Sequence, residues 1–343
     1  MTSSLTLTES ELQEIYAFAL HLSRRSGQIL LESVEKRCGA ESGRVNGKVE
    51  EKMNAVDIVT QTDLDVEAFV KDEIMGKYPD HNRFIGEETY SSGSSKDFLV
   101  TSDPTWIVDP LDGTVNYTHL FPMFCVSIAF CINGIPAVGV IYQPMLDTTY
   151  SALVGHGAWQ DDACEGKKRR ALPYVNNPKL VFGREAPKGC IFSCEWGKDR
   201  RDIEGGNMRR KIGSFMNMAA EIGGRGGKGG MVHGVRSLGS AALDLAYVAS
   251  GAFDIWWEGG CWEWDVAAGI CILREAGGLI TTANPPPNPE TDPIEEVRLG
   301  SRLYLAVRPA GDGEGETGRQ AQERVVREVW KRVDVLDYSR PGA

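Results

Sequence analysis

Basic residues are scarce in this chain. Its 343 residues include 37 Lys and Arg against 48 Asp and Glu, a formal net charge of −11. No basic stripe of the kind that holds a phosphate backbone is present, so nucleic acid is not an expected partner. Long apolar runs are missing too. The most apolar stretch, F-C-V-S-I-A-F-C-I at 124–132, is far below the roughly 20 residues of a membrane helix. The first residues, M-T-S-S-L-T-L-T-E-S-E-L, have neither the positive nor the apolar region of a secretory signal. A soluble, cytoplasmic protein with no membrane partner is expected. The eight cysteines include no C-x-x-C pair, which argues against zinc or a disulfide framework. The five histidines show no paired helical spacing, so a His-ligated metal or a Ser-His-Asp triad has little support. The site must be sought among the carboxylates.

What is present fits an ordinary folded chain: 42% hydrophobic and 25% charged residues make wholesale disorder untenable. Leu12, Ile15, Phe18, Ala19 and Leu22 recur at three- and four-residue steps and predict a helix over 9–35. A polar stretch from Cys38 to Lys52 reads as a mobile loop, and 63–77 as a second helix. Short apolar runs at 124–132, 135–142 and 148–154, the first two joined by Asn133-Gly134, predict an antiparallel meander. The charged segment 161–178 is the candidate boundary between halves 1–165 and 166–343. Beyond it, strands at 179–183, 231–238, 253–257, 279–281 and 302–307 alternate with helices at 207–221, 240–250, 265–276 and 319–333, a layered α/β pattern.

Two glycine motifs are set aside. Gly224 to Gly229 satisfies G-x-G-x-x-G but lies between a helix and a strand, the reverse of the order a dinucleotide needs, and reads as a flexible surface loop. Gly313 to Gly318 has the right order, yet Asp312, Glu314 and Glu316 would repel a pyrophosphate, so it reads as a solvated linker.

The segment Trp106-Ile107-Val108-Asp109-Pro110-Leu111-Asp112-Gly113-Thr114 is a short apolar strand running into two carboxylates. Pro110 should end the strand and leave Asp109 at its exposed carboxyl end. Gly113 permits a tight turn, and Thr114 can cap the following helix. Two aspartates with backbone carbonyls between them suit a hard divalent cation. Taken alone, D-x-x-D-G is an ordinary turn.

The longer pattern changes those odds. Residues 106–119, W-I-V-D-P-L-D-G-T-V-N-Y-T-H, resemble the first signature of the inositol monophosphatase family, and 264–278, W-D-V-A-A-G-I-C-I-L-R-E-A-G-G, resemble the second. F-I-G-E-E at 84–88, D-I-V-T-Q-T-D at 57–63 and V-R-S-L-G-S-A-A at 235–242 agree as well. The likeness runs from residue 10 to residue 307; segments near 38–50 and 195–211 and the tail after 308 are not explained by it.

The resemblance implies an α-β-α-β-α sandwich of the α+β or α/β layered type and a Mg²⁺-dependent hydrolase of inositol monophosphate. It implies that Glu87, Asp109 and the Leu111 carbonyl hold one Mg²⁺, and that Asp109, Asp112 and Asp265 hold a second. Glu87 would share a third, weaker ion, with Asp63 in the outer shell. A metal-activated water, oriented by Glu87 and Thr114, would attack phosphorus in line. Asp112, Gly113, Thr114, Gly239, Ser240 and Ala241 would line the substrate, and Glu258 would accept hydrogen bonds from a polyol. Read from the residues alone, Glu88 is a surface carboxylate, Asp265 a helix N-cap and Glu258 a strand-end charge. Lys52 could approach the phosphate or a metal. Lithium inhibition and a homodimer are further implications. The aromatic density of Trp256 to Trp264, with Trp262 where other members carry a smaller or polar residue, resembles filamentous-fungal members associated with quinate utilisation. Rival readings are a sibling phosphatase for a sugar or nucleotide 3′-phosphate, and a non-catalytic regulatory protein.

Overall fold

The computed structural model describes residues 7–38, 49–54, 57–81, 83–91, 99–162, 169–176 and 179–340. Helix α1 (Glu9–Cys38) buries Ile15, Phe18, Ala19, Leu22, Leu30 and Val34 along one stripe, as its apolar spacing requires. Strands β1 (Val49–Asn54) and β2 (Asp57–Thr60) pair antiparallel, and α2 (Gln61–Lys77) follows. Most of the expected polar loop lies outside the described residues; its end, Lys52, is in β1.

The first large sheet has seven strands. It comprises β3 (Arg83–Gly86), β4 (Thr105–Asp112), β5 (Cys125–Ile132), β6 (Ile135–Gln143), β7 (Thr148–Leu153), β8 (Ala158–Asp162) and β9 (Arg169–Ala171), in that order. Only β3–β4 is parallel; the rest is the predicted meander. Short helices α3 (Glu87–Ser91) and α4 (Thr114–Thr118) follow β3 and β4. Asn133 and Gly134 take φ of 52° and 77°, the paired left-handed conformation of a type I′ hairpin. Strand β9 lies within 161–178, so the first sheet continues past residue 165.

The second sheet has order β11-β10-β12-β14-β13. Its elements run β10 (Ile191–Ser193), α5 (Asn207–Ala219), β11 (Gly234–Arg236), α6 (Ala241–Ser250), β12 (Ile255–Gly259), α7 (Glu263–Ala276), β13 (Leu279–Thr281), β14 (Leu303–Val307) and α8 (Gly318–Trp330). The strand expected at 179–183 does not form. Leu180 and Val181 stay exposed there, and Lys179 makes an isolated bridge with Asn176. The sheet instead uses β10, three residues long and too short to stand out in a hydropathy pattern. Likewise 231–238 contributes only Gly234–Arg236. The glycine loop near 224 contains a short 3₁₀ turn, Arg225–Gly227. The segment expected to be a solvated linker holds Glu316, paired with Arg324 and Arg184.

Three apolar clusters define the layers. One joins α1 and α2 to the first sheet, the second packs α6 and α7 between the sheets, and the third joins α8 and part of α5 to the second sheet. The order is therefore α-β-α-β-α. Behind β4, Trp106 is fully buried against Phe18, Tyr78 and Phe130, with ring centres 5.0–5.9 Å away. Its indole N–H donates to the His81 carbonyl, which satisfies that ring's one donor.

Helix α7 approaches the sheet closely because β6 offers a glycine. A Cβ on Gly139 would stand 2.4 Å from the Ala268 carbonyl oxygen and 2.8 Å from the Cys271 Cβ. We expect Gly139→Ala to cost about 1–3 kcal/mol, the range for overpacking, and to lower the melting temperature by several degrees. An unchanged melting temperature would show that α7 is free to shift outward.

Candidate active site

Parallel pairing of β3 with β4 sets Gly86 opposite Val108, so Glu87, the first residue after β3, stands level with Asp109. The expected strand end at Pro110 does not occur: β4 continues to Asp112. Asp109 pairs with Ser127 and Asp112 with Cys125. Three steps on β4 (112 − 109) therefore face two on β5 (127 − 125), which is a bulge. Pro110, with no N–H to donate, falls inside it. Residues three apart on a regular strand point to opposite faces, and the extra residue returns Asp112 to the side of Asp109. Asp109 is 1% exposed, so it is buried rather than at an open strand end.

Helix starts supply the rest. Ser240 caps α6, accepting from the Leu243 N–H. Its hydroxyl and the Ala242 N–H each donate to Asp112 Oδ2 at 2.7 Å. Asp265 is not the N-cap of α7 but its third residue; the N-cap is Trp262, whose N–H donates to Asp265 Oδ2 at 2.6 Å. Thr114 does not cap α4 either. Gly113, with φ of 91°, takes the cap position, where a Cβ would meet the Met123 carbonyl at 2.8 Å. The freed Thr114 hydroxyl lies 3.2 Å from Asp63 Oδ1 and 3.1 Å from the Leu111 carbonyl. Asp63 is itself held by the Thr60 N–H and hydroxyl. Asn116 donates to the Met123 and Leu238 carbonyls, tying α4 to the loop that carries Gly239.

The carboxyls feel one another. Burial first, then the charges of Glu87, Asp112 and Asp265, hold Asp109 well above the usual carboxylate range. Burial likewise pushes Asp112 and Asp63 up to about 6 and Asp265 up to about 7. Uncompensated acids in a dry cleft are costly unless protonated or met by a cation. The donors are all oxygen, as hard divalent ions prefer. Among the described residues, however, no three acidic, imidazole or thiol groups are gathered tightly enough to grip an ion as they stand. Asp112 is turned to α6, Asp265 to Trp262, and Glu87 to a lysine. That lysine is Lys52, whose ammonium is 3.0 Å from Glu87 and 2.9 Å from Glu88. Glu88 is therefore not a surface carboxylate: burial pushes it up to about 8.

Glu258 occupies neither a strand-end surface nor an open pocket wall. It is 2% exposed and ion-paired with Lys211, which is fully buried. The Glu195 and Gly259 N–H groups donate to the same carboxylate at 2.7 and 2.8 Å. Glu195 in turn accepts from the Ser237 hydroxyl and the Leu238 and Gly239 N–H groups, fixing the approach to α6. Neither Lys211 nor Glu195 was visible as a site residue. Both lie in the 195–211 segment, and only the full burial of its side chain sets Lys211 apart.

The inositol monophosphatase family model matches residues 11–334. The quinic acid degradation cluster protein x of Neurospora crassa is 60% identical over 99% of this chain and 100% of its own. Inositol monophosphatase 2 of Saccharomyces cerevisiae is 36% identical over 83% of this chain and 85% of its own. The solved inositol monophosphatase of Anabaena superposes with a TM-score of 0.62 at 27% identity, covering 95% of this chain and 98% of that one. With the family match across residues 11–334 and the two signatures inside it, this chain belongs to the inositol monophosphatase family.

Proposed function

We propose that the chain is a Mg²⁺-dependent phosphoric monoester hydrolase acting on a small polyol phosphate, with inositol monophosphate as the reference substrate. The convergence of Glu87, Asp109, Asp112 and Asp265 from three separate elements carries this reading. Glu87, Asp109, the Leu111 carbonyl, Asp112 and Asp265 would hold the magnesium, which when bound neutralises a phosphate dianion and acidifies water. The chain's own groups do the rest. Thr114, between Leu111 and Asp63, orients the attacking water and passes its proton toward Asp63, whose raised proton affinity suits a base near neutrality. The water oxygen bonds phosphorus as the ester P–O bond breaks, and the departing alkoxide oxygen takes a proton from a solvent water. Ser240 and the Ala242 N–H hold Asp112 in place, and Gly113 and Gly239 bring backbone close to the substrate. Lys52, on Glu87 and Glu88, must yield when a metal enters. The homodimer and lithium sensitivity belong to the same proposal. The name of the Neurospora relative, a quinic acid degradation cluster protein, favours a second reading, in which the substrate belongs to quinate utilisation.

Phosphate release from inositol 1-phosphate should vanish on chelation and return with Mg²⁺; activity surviving chelation would remove the metal from the mechanism. Asp112→Asn should lower kcat by more than about 100-fold, beyond the loss typical of groups that only support ligands. Circular dichroism should be unchanged, and an active variant would exclude Asp112.

A pH-dependence follows. Unfolded carboxyls titrate near 4, whereas Asp63, Asp112 and Asp265 hold their protons to about 6, 6 and 7 in the metal-free fold. The folded chain binds these protons more tightly, so their contribution to stability is full at low pH and is lost as pH rises through that window. Magnesium relieves the same repulsion. The rise in melting temperature on adding Mg²⁺ should therefore grow from about pH 5 to about pH 7.5; a flat or falling rise would contradict it.

A further inference from the structure

The strip Glu258 to Asp265 reads as purely acidic, with Glu258, Glu263 and Asp265 and no base. Folding reverses that impression. Glu258 is met by buried Lys211 and Glu263 by buried Arg340. Lys198 acts on Asp265, and a further base lies against Trp262. Arg302 stacks on Trp262 with its guanidinium carbon 4.0 Å from the ring centre. It donates to the Ser339 and Gly260 carbonyls, its Nε has no partner, and it makes no ion pair with a carboxylate among the described residues. Trp262 is only partly buried, and its N–H is the donor to Asp265. Trp262 thus joins the stack to Asp265 through its backbone, and the charge of Asp265 reaches Arg302.

We propose that this wall receives a carboxylate on the alcohol part of the substrate, so that the natural substrate is the phosphate monoester of a hydroxy acid rather than of a neutral polyol. The inference rests on the phosphatase reading and narrows it. The charge of Asp265 reaches Arg302 without an ion pair between them, and the guanidinium's planar fork is shaped for carboxylate. Glu258 would repel such a group if bare, but Lys211 cancels its charge and three donors already occupy its oxygens. Ser339, which holds Arg302, lies beyond residue 334, where the family match ends. The device is therefore built partly from this chain's own tail.

The test compares kcat/KM in Mg²⁺ for shikimate 3-phosphate, its methyl ester, inositol 1-phosphate and fructose 1,6-bisphosphate. The free acid should exceed its ester by about 10- to 100-fold, the worth of one charge-assisted hydrogen bond. In Arg302→Gln that ratio should fall toward unity through a higher KM for the acid, and Arg302→Lys should retain part of it. Because the ratio is taken within each protein, a general loss of activity in a variant cancels; if neither variant folds, the ratio in the native chain decides. Equal use of acid and ester, or an unchanged ratio in Arg302→Gln, overturns the proposal. A preference for the bisphosphate over all the others overturns the carboxylate assignment and makes the second anion a phosphate. Hydrolysis without the acid preference sinks this inference alone, whereas no hydrolysis of any of the four sinks the phosphatase reading with it.

Discussion

Mutual repulsion among Glu87, Asp109, Asp112 and Asp265 is the constraint around which the molecule is arranged. Burial raises the proton affinity of Asp109, Asp112 and Asp265 most, and the neighbouring like charges add to the effect. The scaffold bears this cost because three elements hold the groups rigidly. Parallel β3 and β4 align Glu87 with Asp109, the bulge at Pro110 turns Asp112 to the same side, and α7 delivers Asp265. Backbone and hydroxyl donors at the start of α6 offset part of the penalty for Asp112. Lys52 offsets part of it for Glu87 and Glu88. Such a cleft is stable protonated, lysine-bound or loaded with a cation, and the proposed chemistry needs the last of these.

The five-layer order follows from the same logic. Helices α6 and α7 lie between two sheets and start at the cleft, so the core that buries them also positions Ser240 and Asp265. Gly139 lets α7 come within contact of β6, and Trp106 pins the back of β4. Displacement of either support would move these carboxyls without touching them.

Much of this was legible in the sequence. Apolar periodicity located α1, Asn133-Gly134 located the hairpin, and the D-P-L-D-G-T and W-D segments located the carboxylates. Features set by tertiary contacts were not legible. Pro110 reads as a terminator because a single sequence does not reveal that β5 can accommodate an extra residue opposite it. Leu180 and Val181 read as a strand because exposure cannot be seen, and β10 is too short to register. Glu88 reads as a surface charge until Lys52 is placed beside it. Glu258 reads as a strand-end charge until Lys211 arrives from α5. For Pro110, Glu88 and Glu258 the missing information was a partner distant in the chain.

The central claim is that buried carboxyls hold protons until a divalent ion displaces them. Calorimetric titration of Mg²⁺ into the chelator-treated chain near pH 6.5, repeated in buffers of different ionisation enthalpy, measures that exchange directly. The account predicts binding with net proton release, because ligands must be deprotonated to coordinate, and less release as pH rises above about 7.5. Magnesium binding without proton release, or no binding at all, would contradict it.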